Sequence, residues 1–423
     1  MPVSREFSQE VSALPGGNGN SNGNFNNVGN NGNWWSASEN NSNNAYNRNM
    51  NYNNENANWN NNDKNNLLSV RCVQDCLGKT GKPASPIFSE LHKAYLDARK
   101  HKRNTINQLK FERNLEIELL SLCNELETRT YELKPGICFI NELPVKREII
   151  AADFRDRVIH HFLYNRIYPS LDRKFIYDSY SCRVGKGTLF GIKRVQRFLK
   201  SCAVGESHAT PFGDVWVLRL DIQGFFMAIN RRILFDLIIR GLHNEVCNLS
   251  EFLIRKIVFN EPLKNSLFKS PKSAWNDLPP DKSLMHSAPG CGLPIGNLTS
   301  QVFANVYLNP LDHFVKRELK MKYYGRYVDD MVLIHGDKRI LLDAVSSIRE
   351  FLLDELKLTL HPKKIRLQPA AKGFAFLGAY IYPNGITVGR RVVKKFRECI
   401  FNPLPNPEKQ AQRVQSYLGL MAQ

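Results

Sequence analysis

The sequence predicts an α+β fold in which helices pack on an antiparallel sheet, and three observations carry that prediction. The first is Tyr323-Tyr324-Gly325-Arg326-Tyr327-Val328-Asp329-Asp330-Met331-Val332-Leu333-Ile334-His335, two apolar runs of strand character that meet at adjacent aspartates. The second is Val215-Trp216-Val217-Leu218-Arg219-Leu220-Asp221-Ile222, a near-continuous apolar run of the kind expected of a buried strand, with Asp221 at its tip. The third is helical spacing elsewhere: Ile117, Leu120, Cys123 and Leu126; Val158, Phe162 and Ile167; and Val302, Phe303, Val306, Tyr307 and Leu311 on one face.

Two carboxylates side by side at a tight turn repel each other unless solvent or a divalent cation lies against them. One aspartate from a strand end and a pair from an adjacent hairpin suit two bridged metal ions roughly 3.5 to 4 Å apart, which activate an attacking hydroxyl and stabilise a leaving pyrophosphate. Two magnesium ions held by Asp221, Asp329 and Asp330 are therefore the expected cofactors.

At 423 residues the chain exceeds one average domain, and its formal charge of +18 arises from 58 Lys and Arg against 40 Asp and Glu. Such an excess favours a polyanionic partner, because neutralising phosphates releases condensed counterions. The basic residues also cluster beside the motifs, at Lys93 to Lys110, Lys363-Lys364-Ile365-Arg366 and Arg390-Arg391-Val392-Val393-Lys394-Lys395. The nine cysteines are scattered. Cys72 and Cys76 lack a second Cys or His pair at zinc-site spacing, and the odd count fits a reducing compartment. No apolar run reaches membrane-span length and no basic-then-apolar leader opens the chain, so a cytoplasmic protein without a membrane partner is expected. Gly78-Lys79-Thr80 lacks the earlier glycine of a phosphate loop, Val73 standing in its place.

The first 80 residues are of a different character. From Gly17 to Asn66 about half of the positions are Asn, interleaved with Gly and Ser. Such a tract buries too little apolar surface to offset chain entropy, so disorder is expected. Fixed residues nevertheless stand among the asparagines: Trp34-Trp35-Ser36-Ala37-Ser38-Glu39, Ala45-Tyr46-Asn47-Arg48, Trp59 and Leu68-Ser69-Val70-Arg71-Cys72-Val73-Gln74-Asp75.

Tyr327-Val328-Asp329-Asp330, preceded by the Asp221-Ile222 strand end with Phe226 five positions on, resembles the palm of reverse transcriptases. Further blocks follow that family's order: Arg147 to His161, Phe175 to Thr188, Gly292 to Gln301, and Phe376-Leu377-Gly378-Ala379-Tyr380, which looks like a primer grip. The resemblance covers about two thirds of the chain. It implies a right-hand polymerase fold with helical fingers over 85–211, an antiparallel-sheet palm with packed helices over 212–382 (the reverse transcriptase domain about 137–382), and a short helical thumb over 383–423. It also implies an RNA template, a DNA primer and deoxynucleoside triphosphates as partners.

Taken in order, the fingers' apolar stripes should form core, and Lys146 and Arg147 lie where the family holds the incoming triphosphate. Arg147 matches better, since a guanidinium fork can bind phosphate oxygens bidentately. In the palm, Phe226 matches the aromatic that blocks a ribose 2′-hydroxyl. Ile295 and Gly296 belong to the nucleotide loop, and the helix after it should turn Ser300 and Gln301 to the template. Leu358 to Leu367 resembles the motif whose lysine protonates pyrophosphate. Lys364, rather than Lys363, holds that position, although either would equally serve as a phosphate-backbone contact. Beyond Arg390 a basic helical segment, a break at Pro403 to Pro407 and a final stretch to Gly419 look like the start of a thumb.

One block narrows the subfamily. Most reverse transcriptases place Gln-Gly after the Leu-Pro of the loop, whereas this chain has Ile295-Gly296 followed by Asn297-Leu298-Thr299-Ser300-Gln301. That form resembles the reverse transcriptases of diversity-generating retroelements. An isoleucine cannot make the hydrogen bonds an amide makes there, and each discriminating contact is worth on the order of 1 kcal/mol. Error-prone copying is what the resemblance implies. The Asn-rich head resembles a translated template repeat of these elements, and a small basic accessory protein is an implied partner. The alternatives are a group II intron or antiphage reverse transcriptase, or a non-catalytic RNA-binding relic.

Overall fold

The computed structural model describes residues 18–19, 24–26, 31–39, 41–51, 57–64, 85–100, 105–142, 145–205 and 215–421. The chain divides into two compact units, residues 1–84 and 85–423. In the first, Asn31–Glu39, Asn44–Asn51 and Ala57–Asp63 pair as a three-stranded antiparallel meander, and Asn18–Gly19 pairs with Phe25–Asn26. Composition predicts disorder for this segment in isolation, and the pairing seen here rests on backbone hydrogen bonds and turn chemistry, neither of which needs apolar side chains. At the first turn, Oδ1 of Asn41 accepts the N–H groups of Asn43 and Asn44 at 2.9 and 2.7 Å. Leu68 to Asp75, Cys76 and Gly78 to Thr80 lie outside the described residues.

The second unit is organised around a four-stranded antiparallel sheet in the spatial order Tyr323–Tyr327, Asp330–His335, Trp216–Leu220, Arg366–Pro369. Both faces are covered, which is why the Trp216 strand reads as a continuous apolar run instead of an alternation. Leu218, Leu220, Met331 and Leu333 belong to the larger core, shared with the helices Phe154–Asp172, Leu298–His313 and Lys338–Leu356. Val217, Val332 and Ile334 belong to a smaller core with the helix Thr188–Gly205 and the hairpin Phe374–Phe376/Ala379–Tyr382. A smaller sheet pairs Ile137–Asn141 with Arg147–Ala151 in antiparallel fashion and with Leu267–Phe268 in parallel.

Helix starts follow from local chemistry. Asp153 caps Phe154–Asp172 by accepting the Arg155 N–H at 3.0 Å, and Asp337 caps Lys338–Leu356 through the Arg339 N–H at 2.7 Å. Val158, Phe162 and Ile167 are buried, as is the whole stripe from Val302 to Leu311. The helix Leu115–Thr128 forms, but it buries Leu119, Leu122, Cys123 and Leu126, leaving Ile117 71% and Leu120 39% exposed. The expected stripe is thus off by part of a turn. Apolar residues occur nearly all round this helix, so periodicity alone does not select a face.

At the C-terminal end, Arg390–Phe401 and Pro407–Met421 form two helices whose Phe396 and Tyr417 rings lie 6.0 Å apart. Among the described residues no helix is long and apolar enough to cross a membrane.

Candidate active site

Tyr327 pairs with Asp330, so Val328 and Asp329 form the tip of a two-residue hairpin. Val328 has φ +54°, a left-handed conformation that costs a β-branched residue on the order of 1–3 kcal/mol. The strain is held from beneath. Arg326, entirely buried, donates from Nη1 to the Val328 carbonyl at 2.8 Å, and grips Asp312 through Nε at 2.8 Å and Nη2 at 2.6 Å. Asp312, equally buried on the helix Leu298–His313, also accepts the Tyr324 hydroxyl at 2.7 Å. Alongside, Tyr180 N–H donates to Arg326 O and Arg326 N–H to Asp178 O, both at 2.9 Å. Gly325 permits this edge, because a Cβ there would collide with the Tyr180 hydroxyl. Neither Arg326 nor Asp312 is among the residues the motifs single out. The available signal is a charged residue at a core position of each element.

Register then assembles the carboxylates. The last pair between the central strands is Met331 with Leu220, and one step further along the same register Asp330 falls beside Asp221. On the other flank Arg366 pairs with Arg219, so the same counting sets Lys364 opposite Asp221. The lysine closes that gap: its Nζ lies 2.9 Å from both Asp221 oxygens. Burial first, and then repulsion from Asp330 and Asp221, raises the Asp329 carboxyl to about 7. Asp330 stands at the exposed end of the turn; enclosure by surrounding protein, followed by repulsion from Asp221, raises it to about 6, while Lys364 and Arg219 pull the other way.

The second group of predicted residues surrounds the loop at Gly292. Ile150 N–H donates to Ile295 O at 2.9 Å and Ala152 N–H to Asn297 Oδ1 at 3.1 Å, stitching the loop to the strand Arg147–Ala151. Gly296 is required at this seam, since it has φ +129° and a Cβ would approach Ile150 O to 3.1 Å. Leu293 N–H donates to Phe226 O at 2.8 Å, and Ile295 and Phe226 pack on one small apolar cluster with Cys138, Ile150, Met227 and Leu284. Loop, strand and Phe226 are therefore one assembly. Arg147 is exposed on its strand. Lys146 is engaged elsewhere, its Nζ donating to Asn276 O at 2.7 Å. Glu148, which the motifs do not single out, anchors this strand from inside by accepting from Trp275 Nε1, Ser283 Oγ and Leu284 N–H at 2.7–2.8 Å.

Ser300 departs from expectation. It is 3% exposed, whereas Gln301 is exposed. The helix Leu298–His313 is embedded on several sides and turns position 300 inward with Thr299 and Phe303. Of the two, only Gln301 is open to solvent.

The three carboxylates supply hard oxygen donors of the kind magnesium takes. Burial, followed by repulsion among neighbouring carboxylates, raises Asp329 and Asp330, while Lys364 opposes the shift at both and pairs directly with Asp221. As they stand, no three His, Cys, Asp or Glu side chains among the described residues enclose an ion, Asp221 being bonded by the lysine on both oxygens. The donor chemistry fits a divalent cation once Lys364 releases Asp221.

A pH dependence follows. A carboxyl raised to about 7 in the folded chain, from an ordinary value near 4, keeps a proton that the unfolded chain releases. Its contribution to stability is full below about pH 4 and is lost as pH rises through about 7. Magnesium needs the ionised form, so differential scanning fluorimetry should show Mg2+ raising Tm more at pH 8 than at pH 6. An equal rise at both values would contradict the coupling.

Residues 145–381, more than half of the chain, match the model of the reverse transcriptase (RNA-dependent DNA polymerase) family. The chain belongs to that family. A comparison with curated protein sequences finds no match. Among solved structures, the chain is similar to telomerase from Candida albicans in complex with a TWJ fragment of telomeric RNA, at 11% identity, 68% coverage of this chain, 53% of that one and a TM-score of 0.40. It is also similar to apo telomerase from Candida tropicalis truncated from the C-terminal domain, with 11% identity, coverages of 60% and 55% and a TM-score of 0.44. The chain spans little more than half the length of either.

Proposed function

We propose that this chain is an RNA-directed DNA polymerase that copies a template-repeat RNA into error-prone complementary DNA, as the reverse transcriptases of diversity-generating retroelements do. The observation that carries the polymerase reading is the register-set row Asp330, Asp221, Lys364 beside the clamped Asp329 turn. Residues 85–211, 212–382 and 383–423 would act as fingers, palm and thumb around an RNA template and a DNA primer.

In this reading Arg147, exposed at the end of its strand, holds the triphosphate of the incoming nucleotide. Phe226 and Ile295, sharing one apolar cluster, flank its sugar and base. Asp221, Asp329 and Asp330 would hold two magnesium ions, which would supply a lowered pKa at the attacking hydroxyl and positive charge for the pyrophosphate. The primer's 3′-hydroxyl gives up its proton to solvent, its oxygen attacks the α-phosphorus and the bond to pyrophosphate breaks. Lys364, already a hydrogen-bond donor in the row, gives a proton to that leaving group.

The mutagenic part of the proposal rests on Ile295. Its backbone carbonyl is occupied by Ile150 and its side chain offers no donor or acceptor, so pairing there is judged by shape alone. Ile295→Gln should lower misincorporation opposite template adenine by about 3- to 10-fold, the equivalent of one hydrogen bond, as read by sequencing the products. An unchanged error spectrum would remove the support for mutagenic copying and leave the polymerase reading in place.

A further inference from the structure

Two residues back from the carboxylate row, the same register places Arg219 directly opposite Arg366. Like charges opposite each other on neighbouring strands repel, and among the described residues neither arginine has a carboxylate in an ion pair. Arg219 donates from Nη1 to the carbonyl of Ala375 in the overlying hairpin, yet its Nε is buried without any partner. Arg366 is exposed at the edge of the sheet. Tyr380, cross-strand partner of Ala375, stands on the same hairpin. Strand pairing thus sets two guanidinium-bearing residues side by side, one with an unmet buried donor.

We infer that Arg219 and Arg366 bind one backbone phosphate of the primer strand close to its 3′ end. The inference rests on the polymerase reading above and adds residues outside the motifs that support it. A phosphodiester is favoured over the nucleotide's triphosphate by position. The pair lies on the Arg366–Pro369 flank beneath the 374–382 hairpin, whereas Arg147 and the Ile295 loop belong to the separate Ile137–Ala151 sheet. A planar fork also matches a phosphate's paired oxygens better than a lysine does.

The test uses the full 423-residue chain and a fluorescent DNA primer annealed to RNA, with binding followed by anisotropy in EDTA over a range of salt. Arg366→Gln, at an exposed position, should weaken binding by about 3- to 10-fold and reduce the slope of log K against log salt by about 1. Arg219→Met should do the same, provided that its Tm shows it folded. A neutral methylphosphonate at one linkage near the 3′ end should weaken wild-type binding by a similar factor and leave Arg366→Gln binding unaffected. Wild-type affinity and slope in Arg366→Gln would overturn the proposal. So would unchanged primer binding with a raised KM for nucleotide, which would move the pair to the triphosphate. A wild-type chain that binds no primer–template would overturn the polymerase reading and this site together.

Discussion

Arg326→Met is expected to lower Tm by on the order of 10 °C, because removing one partner of a fully buried ion pair costs about 3–5 kcal/mol. The penalty arises from Asp312, which would keep a buried charge with the Tyr324 hydroxyl as its remaining hydrogen-bond donor among the described residues. It should also cut polymerase activity, since the Val328 carbonyl loses the guanidinium that holds it at positive φ. These two effects are separable. The double variant Arg326→Met with Asp312→Leu places apolar groups at both positions, and such replacements of buried pairs are often neutral or stabilising. It should recover most of the lost Tm in differential scanning fluorimetry while kcat stays low and the Kd for primer–template stays near wild type. Recovery of kcat along with Tm would show that the pair acts only as core, with no part in fixing the turn.

Asp329→Asn is expected to reduce nucleotide incorporation by about 10³-fold or more, since an amide cannot supply the charge that a two-metal site requires. Its effect on stability should run in the opposite direction. The wild-type carboxyl, raised to about 7, is progressively ionised against Asp330 and Asp221 as pH rises, and the neutral amide avoids that repulsion. Without divalent cations the variant should therefore melt above the wild type at pH 8, with the gap closing towards pH 5. A variant that loses activity by unfolding would show the reverse order of Tm, so calorimetry and primer extension together separate a chemical role from a structural one.

How much of this was legible in the sequence depended on whether the determinant was local. The strand ending at Asp221 and the hairpin at Asp329-Asp330 announced themselves through short apolar runs, and strand register then brought them together without further information. Arg147 and the Ile295 loop were legible as family motifs, but their joint dependence on Glu148 was not, because its partners Trp275, Ser283 and Leu284 lie more than a hundred residues away. Arg326 and Asp312 are hidden for a similar reason: a charged residue in an apolar segment does not reveal which distant group will pair with it. Ser300 and the Ile117–Leu120 stripe show a different limit. Helical period gives the spacing of a face but not its azimuth when several faces are apolar.

RNA-templated DNA synthesis is proposed to take place at the row Asp330, Asp221, Lys364 with the clamped Asp329 turn. The most direct measurement is incorporation of labelled deoxynucleotides on a DNA-primed RNA template with magnesium, run for the wild-type chain and for Asp330→Asn in parallel. The wild type should yield magnesium-dependent complementary DNA and the variant none above background. Equal incorporation by both, or wild-type synthesis that persists in EDTA, would contradict it.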